Sequence, residues 1–358
     1  MKGTGIKYII FSIAACIVIS SFYLLIFKSD ATNSSGLDLD INRNQWALLN
    51  FGQDVNGEKG IEGYDINAQE VWEITKGNKD VLVGILDTGI ESQNPVIKDS
   101  IYANKEERKN GKDNDGNGMI DDINGWNFYD DNNKIYERMT LDYHGTFIAS
   151  VIAGKHTKEN EVWGVAPNVT IVPLKFMSGT AGNMKLAIKA IDYGYDLGVR
   201  IFNVSWDTFE YDEDLFHVMQ KYEDAIFITS SGKGKNNIEQ NPVYPCSFEL
   251  NNVICVSAVD SRGNLETYSG YGKELIFAPG ANIYGMLPEG EYVFSDGTSL
   301  ATAHVTGIVA LAMSLNPNIL INELTTIIKE SNLQIELEDQ SIEIINSKEV
   351  LDKVDNTR

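Results

Sequence analysis

The sequence feature that most restricts the fold is a set of continuous apolar runs, each of strand length. These runs lie at residues 81–86, 169–174, 201–204, 225–229 and 253–259. A strand that lacks alternating polarity is buried on both faces, as in a parallel sheet. A helical pattern at residues 183–197 separates two of the runs. Strands that alternate with helices predict an α/β fold, with a mostly parallel central sheet flanked by helices.

Length and charge narrow the class of protein further. The chain has 358 residues, enough for one large domain with a single core or for two small domains. Its formal net charge is −22. Because phosphate binding requires clustered Lys and Arg, this charge argues against nucleic acid as a partner. A protein with this negative charge favours basic peptides or cations as partners.

The N-terminus carries an uncharged apolar run of 20 residues, at positions 8–27. At about 1.5 Å per residue, a helix of this length spans the hydrocarbon core of a bilayer. We therefore predict a membrane anchor or signal segment at residues 1–28, a polar linker at 29–43 and a folded domain at 44–358. An uncleaved single-pass anchor, a cleaved signal peptide and a lipoprotein signal at Cys16 remain alternatives. Each of them places the domain outside the cytoplasm, either at the cell membrane or secreted.

The chain has three cysteines, Cys16, Cys246 and Cys255, and no Cys-x-x-Cys pair that would indicate zinc. Cys246 and Cys255 are nine residues apart. They are compatible with a disulfide in an oxidising compartment, and the alternative is two small buried thiols.

Three short motifs occur in the order Asp, His, Ser. Asp87 begins Asp-Thr-Gly-Ile directly after an apolar run, His144 begins His-Gly-Thr, and Ser299 lies within Gly-Thr-Ser-Leu-Ala-Thr. Nucleophilic catalysis by serine needs a hydroxyl, an imidazole that takes its proton and a carboxylate that orients the imidazole. Each residue alone is compatible with a structural role. Together, in this order, they predict a catalytic triad.

These motifs resemble those of the subtilisin-like serine peptidases, from about residue 44 to the C-terminus. Further blocks similar to the family are Trp-Ala-Leu-Leu-Asn at 46–50, Asp-Ile-Asn-Ala at 65–68, Gly-Val-Ala-Pro at 164–167, Asn-Val-Ser-Trp at 203–206 and Phe-Ala-Pro-Gly at 277–280. The resemblance implies a monomeric endopeptidase that hydrolyses a peptide or protein substrate through an acyl-enzyme. The alternative is a catalytically impaired pseudoprotease that only holds a peptide.

The chain departs from the family at two positions near the expected cleft. Lys233 follows Ser-Ser-Gly where the family has the Asn that donates to the oxyanion, so Lys233 is the atypical candidate for that role, with Asn236 or Asn237 as the alternative if the loop shifts register. Asp207 stands where the family usually has Gly. The resemblance implies that two segments form the walls of the first specificity pocket, and their residues are Ser205, Trp206, Asp207, Ser230, Ser231 and Gly232.

An acidic loop between the Asp and His motifs matches the first half of an EF-hand calcium loop. Oxygen-bearing side chains alternate from position 113, and Gly118 occupies the sixth position, as that loop requires. The carboxylate expected at position twelve is missing, because Asn124 stands there. The candidate ligands of a structural Ca²⁺ ion are Asp113, Asp115, Asn117, Met119, Asp121 and Asp122. A solvated acidic turn is the alternative.

Overall fold

The computed structural model describes residues 9–10, 41–158, 160–337 and 340–358. Apart from Ile9–Ile10, which pairs antiparallel with Ala181–Gly182, the predicted membrane segment lies outside the described residues. The anchor, the linker and the domain boundaries stay predictions. Within the described part of the chain, one helix is long and apolar enough to cross a bilayer, but it is mostly buried in the protein core.

A seven-stranded sheet forms the centre of the molecule. Its strands are β1 (Leu82–Asp87), β2 (Trp126–Asn127), β3 (Thr170–Lys175), β4 (Ile201–Val204), β5 (Ile226–Ser230), β6 (Val253–Val259) and β7 (Leu275–Pro279). They are ordered β7-β6-β5-β4-β1-β3-β2, and every neighbouring pair is parallel. The α/β fold with a parallel central sheet is thereby confirmed.

Helices cover this sheet. They are α1 (Ala68–Ile74), α2 (Met139–Ala153), α3 (Met184–Asp196), α4 (Glu213–Lys221), α5 (Thr298–Leu315), α6 (Ile321–Lys329) and α7 (Ser347–Asp355), and single 3-10 turns occur at Lys98–Ser100 and Pro288–Gly290. Side chains cap three of the helix starts: Asn183 accepts from Leu186 N, Asp212 from Leu215 N and Asn346 from Glu349 N.

Small antiparallel hairpins lie outside the central sheet. Their strands are Asp54–Val55 with Glu58–Lys59, Met177–Ser178 with Ala181–Gly182, Ile283–Met286 with Tyr292–Ser295, and Asn332–Leu337 with Gln340–Ile345. The last hairpin differs from the sequence prediction of one helix and a short closing segment after residue 318. Instead, α6 and α7 flank a hairpin whose polar residues obscure its strand pattern.

The strands divide the core into two large apolar clusters, one on each face of the sheet, and a third, small cluster surrounds Cys246 and Cys255. Val83 and Ile85 point to the face covered by α2 and α5, whereas Leu86 points to the face covered by α3. Side chains along a strand point alternately to the two faces of the sheet, and both faces of β1 are covered by the core. Strand β1 is therefore buried on both sides, which explains its unbroken apolar run. Helices α2 and α5 are buried along most of their length, so they are apolar on nearly all sides.

Cys246 and Cys255 form a disulfide. Their Cα atoms are 4.9 Å apart, within the range that a disulfide requires. Of the two alternatives that the sequence left open, the structure therefore has the paired one. The bridge joins β6 to the segment that follows the Lys233 loop.

Candidate active site

Asp87 and His144 meet at the carboxyl edge of the sheet. Asp87 is the last residue of β1 and is fully buried, and His144 lies in the second turn of α2 with 3% of its surface exposed. His144 Nδ1 is 2.8 Å from Asp87 Oδ1 and 2.9 Å from Oδ2. Because an ionised carboxylate only accepts hydrogen bonds, Nδ1 donates and Nε2 of the neutral ring is left as an acceptor.

Ser299 is the second residue of α5, which begins after Gly297. Its backbone amide lies in the first helical turn, where amides have no carbonyl partner within the helix and the helix dipole favours negative charge. Ser299 Oγ and His144 Nε2 are both buried and have no hydrogen-bond partner among the described residues. Buried polar atoms are seldom left in this state, so both are available to a ligand.

A line of buried hydrogen bonds fixes the start of α5 against β4. Thr306 Oγ1 donates to Asn203 Oδ1, and Asn203 Nδ2 donates to Ser205 Oγ, each over 2.9 Å. Ser205 Oγ in turn donates to the carbonyl of Ser299 over 2.9 Å. Since β4 is the neighbour of β1 in the sheet, this line holds Ser299 beside the strand that carries Asp87.

Another buried histidine, His304, lies five residues after Ser299, and its environment differs from that of His144. His304 lies in α5, is 2% exposed, and its Nδ1 is 2.8 Å from the carbonyl of Leu300. Burial lowers the pKa of His304 to about 4, so the ring is neutral at pH 7. Its bond to the backbone of its own helix makes His304 a packing residue.

The two segments expected to form the specificity pocket follow the adjacent parallel strands β4 and β5. Ser230 ends β5, Ser231 Oγ lies 2.9 Å from Ser257 Oγ, and the carbonyl of Gly232 accepts from Thr298 Oγ1 over 3.3 Å. This last bond brings the loop after β5 to the residue that precedes Ser299.

The other segment has buried side chains. Trp206 is 1% exposed, with its ring 5.2 Å from that of Phe176, and Asp207 is 2% exposed. A methyl group at Gly232 would lie 3.3 Å from Asp207 Oδ2, so the two segments are in close contact. A ligand at this wall would therefore meet mainly backbone atoms.

Lys233 directly follows Gly232, in the loop between β5 and β6. Its side chain is half-buried, and its backbone forms a bridge with Ser269. Two nearby asparagines are already engaged elsewhere: Asn236 Nδ2 donates to the carbonyl of Asn241, and Asn237 Oδ1 accepts from Glu239 N. The assignment of Lys233 to the position of the family's oxyanion donor stays a prediction, and the Asn237 side chain, which accepts through Oδ1, keeps its amide nitrogen as an alternative donor.

An ion pair that sequence reasoning did not find lies directly behind the Asp87–His144 pair. Lys175, the last residue of β3, has its Nζ 2.5 Å from Asp142 Oδ1, and both side chains are fully buried. Asp142 precedes His144 by two residues, whereas Lys175 is opposite Asp87 in the sheet register. From the sequence, Asp142 resembles any acidic residue in the first turn of a helix, so only its partner reveals it.

The acidic loop gathers two of the six predicted ligands and adds one that was missed. Carboxylate oxygens of Glu107, Asp113 and Asp115 lie within 4.8 Å of one another. Glu107 is 6% exposed, and its carboxylate accepts from the amides of Asn114, Asp115 and Asp121. Backbone hydrogen bonds, the one from Gly118 foremost, lower the pKa of Asp113. Glu107 lies six residues before the EF-hand pattern, and its only signal was an acidic residue close to the loop.

The other predicted ligands occupy different positions in the loop. Asn117 Nδ2 donates to Asp115 and to Asp122, and the Met119 amide donates to Asn117 Oδ1. Asp121 accepts from the amides of Asn110 and Gly111. Asp122 is fully buried and accepts from the hydroxyl of Tyr193 over 2.6 Å, and this burial raises the pKa of Asp122.

Known proteins similar to this chain include several proteases. Subtilisin-like protease 2 of Plasmodium falciparum is 28% identical over 248 residues, which cover 67% of this chain and 17% of that protein. The thermophilic serine proteinase of Bacillus sp. (strain AK1) is 27% identical over 266 residues, covering 72% of this chain and 59% of the relative. The chain thus spans less than two thirds of these relatives.

The fold has a counterpart among solved structures. The prenylagaramide maturation protease PagA superposes with a TM-score of 0.63 at 22% identity, covering 80% of this chain and 98% of that structure. The family model of the subtilase family matches residues 78–348, a range that includes Asp87, His144 and Ser299. The chain therefore belongs to the subtilase family.

Proposed function

We propose that the protein is a serine endopeptidase that hydrolyses peptide bonds, with Asp87, His144 and Ser299 as its catalytic triad. The observation that carries the proposal is the buried hydrogen bond between Asp87 and His144. It leaves His144 Nε2 without a hydrogen-bond partner among the described residues, and Ser299 Oγ also has none there. Subtilase membership and relatives named as proteases support it.

In the proposed reaction, Ser299 Oγ attacks the scissile carbonyl carbon while His144 Nε2 takes the hydroxyl proton. Asp87 holds Nδ1–H and stabilises the imidazolium that forms. The proton then passes from Nε2 to the leaving amine, and the acyl group stays on Ser299. A water molecule, deprotonated by the same nitrogen, hydrolyses this ester and restores the serine.

The developing oxyanion needs donors that are already in position. The Ser299 amide at the start of α5 supplies one donor, and we assign the second position to Lys233. An ammonium is a flexible and strongly hydrated donor, whereas an amide is planar and directed. We therefore expect Lys233 to support a slower reaction than the family's asparagine would.

We place the residue before the cut bond between the segments 205–207 and 230–232. The side chains of Ser205, Trp206 and Asp207 are at most 2% exposed, so the peptide would contact this wall chiefly through backbone groups. Ser205 has a further role, because its hydroxyl holds the Ser299 carbonyl.

We further propose that the domain works outside the cytoplasm, tethered by residues 8–27 as a single-pass anchor, with secretion as the alternative. The strand pairing of Ile9–Ile10 with Ala181–Gly182 would have to open in the tethered protein, because a spanning helix makes its backbone hydrogen bonds within itself. The uncharged run of 20 residues supports this location. So does the Cys246–Cys255 disulfide, because disulfides persist mainly in oxidising compartments.

A calcium ion fits the cluster of Glu107, Asp113 and Asp115. Three carboxylates within 4.8 Å repel one another, and among the described residues no Lys or Arg forms an ion pair with them. Hard oxygen donors of this kind suit Ca²⁺. The ion would be structural, neutralising the loop between β1 and α2.

Calcium is expected to raise the thermal stability of the protein. Binding to the folded state alone contributes about 2.7 kcal/mol at a hundredfold excess over Kd. Melting temperatures in EDTA and in millimolar calcium measure the effect. Glu107→Gln should abolish the response, whereas Glu106→Gln, at an exposed neighbour, should keep it. A melting temperature that does not change with calcium would contradict the site.

Labelling with a fluorophosphonate tests the proposed function. Only an activated serine reacts rapidly with this probe, so we expect stoichiometric labelling of Ser299, identified by peptide mass, and strongly reduced labelling in His144→Ala. A folded wild-type protein that remains unlabelled would instead indicate the pseudoprotease, which the present similarities do not support.

A further inference from the structure

The buried ion pair between Lys175 and Asp142 connects the two elements that carry Asp87 and His144. Lys175 ends β3 opposite Asp87 in the parallel register, and the amide of the next residue, Phe176, donates to the Asp87 carbonyl over 3.1 Å. Asp142 lies in the first turn of α2, two residues before His144. The pair therefore spans from the strand beside Asp87 to the helix of His144.

The Asp142 carboxylate joins three segments of the chain. Its Oδ1 accepts from Lys175 Nζ over 2.5 Å and from the Gly89 amide over 2.9 Å, and its Oδ2 accepts from the Glu137 amide over 2.7 Å. Gly89 is two residues after Asp87, and Glu137 is two residues before the start of α2. Both oxygens are thus engaged, and the bonds to Gly89 and Lys175 end close to Asp87.

Packing at this junction is close enough to require glycine at two positions. A methyl group at Gly89 would lie 2.6 Å from Asp142 Cγ, and one at Gly145 would lie 2.7 Å from the Gly89 carbonyl oxygen. The Gly145 amide also donates to Thr88 Oγ1 over 3.0 Å. Because the segment after Asp87 and the helix of His144 touch backbone to backbone, a shift of the Asp142 carboxylate would move both.

We propose that Lys175 and Asp142 are positioning residues that hold the Asp87–His144 hydrogen bond in its productive geometry, an inference that rests on the proposed function. A buried ion pair is seldom more stable than apolar residues of similar volume, because both charges lose their hydration. Stability alone is therefore a weak reason for this pair. The position of the pair offers a better reason, because small displacements of catalytic groups lower kcat strongly.

Two variants test the positioning role. Lys175→Met leaves the Asp142 charge buried without a counter-charge, held only by the Gly89 and Glu137 amides. The double variant Lys175→Met/Asp142→Asn removes both charges and keeps an amide oxygen for Gly89. Ile171→Val, a buried truncation on the same strand, is the matched control for a loss of stability alone. If Lys175→Met does not fold, the double variant decides.

We expect kcat of the folded variants for a peptide substrate to fall about tenfold to a hundredfold, with KM within about twofold of wild type. The downfield proton resonance of His144 Nδ1–H should move or disappear. Ile171→Val should melt earlier and keep both kcat and the resonance. A folded double variant with wild-type kcat and an unchanged resonance would overturn the proposal.

The resonance also separates this proposal from the proposed function, because it is measurable in a Ser299→Ala background that performs no catalysis. A wild-type protein without fluorophosphonate reactivity would contradict the endopeptidase. The effect of Lys175→Met/Asp142→Asn on the His144 resonance would still confirm or reject the positioning role.

Discussion

Ser299→Ala is expected to abolish peptide-bond hydrolysis while leaving the fold intact. Removing the nucleophile from a subtilisin costs about 10⁶ in turnover, a figure measured on that family member rather than inferred from this chain. The fold should survive because Ser299 Oγ has no hydrogen-bond partner among the described residues, so its loss breaks no internal bond. Casein hydrolysis and the melting temperature measure the two effects.

Ser314→Ala is the matched control, because Ser314 lies near the other end of the same helix. Its hydroxyl donates to the Ala310 carbonyl over 2.6 Å and accepts from the Asn78 amide. This variant should lose some stability and keep its activity. Wild-type cleavage by purified Ser299→Ala would show that the triad assignment is wrong.

Lys233→Asn is expected to raise kcat about tenfold with little change in KM. The oxyanion forms only after attack, so a better donor stabilises the transition state more than the bound substrate. A well-placed donor of this kind is worth about 10²–10³ in turnover, as measured on a subtilisin. A lysine that already donates part of the time leaves a smaller gain.

Backbone contacts hold the loop around Lys233, so a change in kcat can be assigned to the side chain at this position. The Gly232 carbonyl is bonded to Thr298 Oγ1 and the backbone of Lys233 to Ser269, so the backbone at 233 should keep its position. Lys235→Asn, two residues later and exposed, changes charge equally and should leave kcat unaltered. If kcat of Lys233→Asn is unchanged or lower, Lys233 itself is a competent donor.

The central sheet was predictable because its signal is local. A strand buried on both faces needs consecutive apolar residues. The six residues before Asp87 meet this requirement without reference to any other part of the chain. The C-terminal hairpin was missed because residues 332–345 mix polar and apolar side chains and carry no such run. The second strand of this hairpin lies against β7 of the central sheet, a contact between residues far apart in the sequence.

Sequence alone determined the candidate nucleophile, base and orienting carboxylate, because each lies in a short motif of fixed residue types. Only the tertiary structure decided which groups surround them. Lys175 and Asp142 are 33 residues apart, and Ser205 reaches the Ser299 carbonyl across 94 residues. Whether a buried lysine or serine has a partner depends on strand order and helix placement. Local sequence patterns carry no record of such contacts.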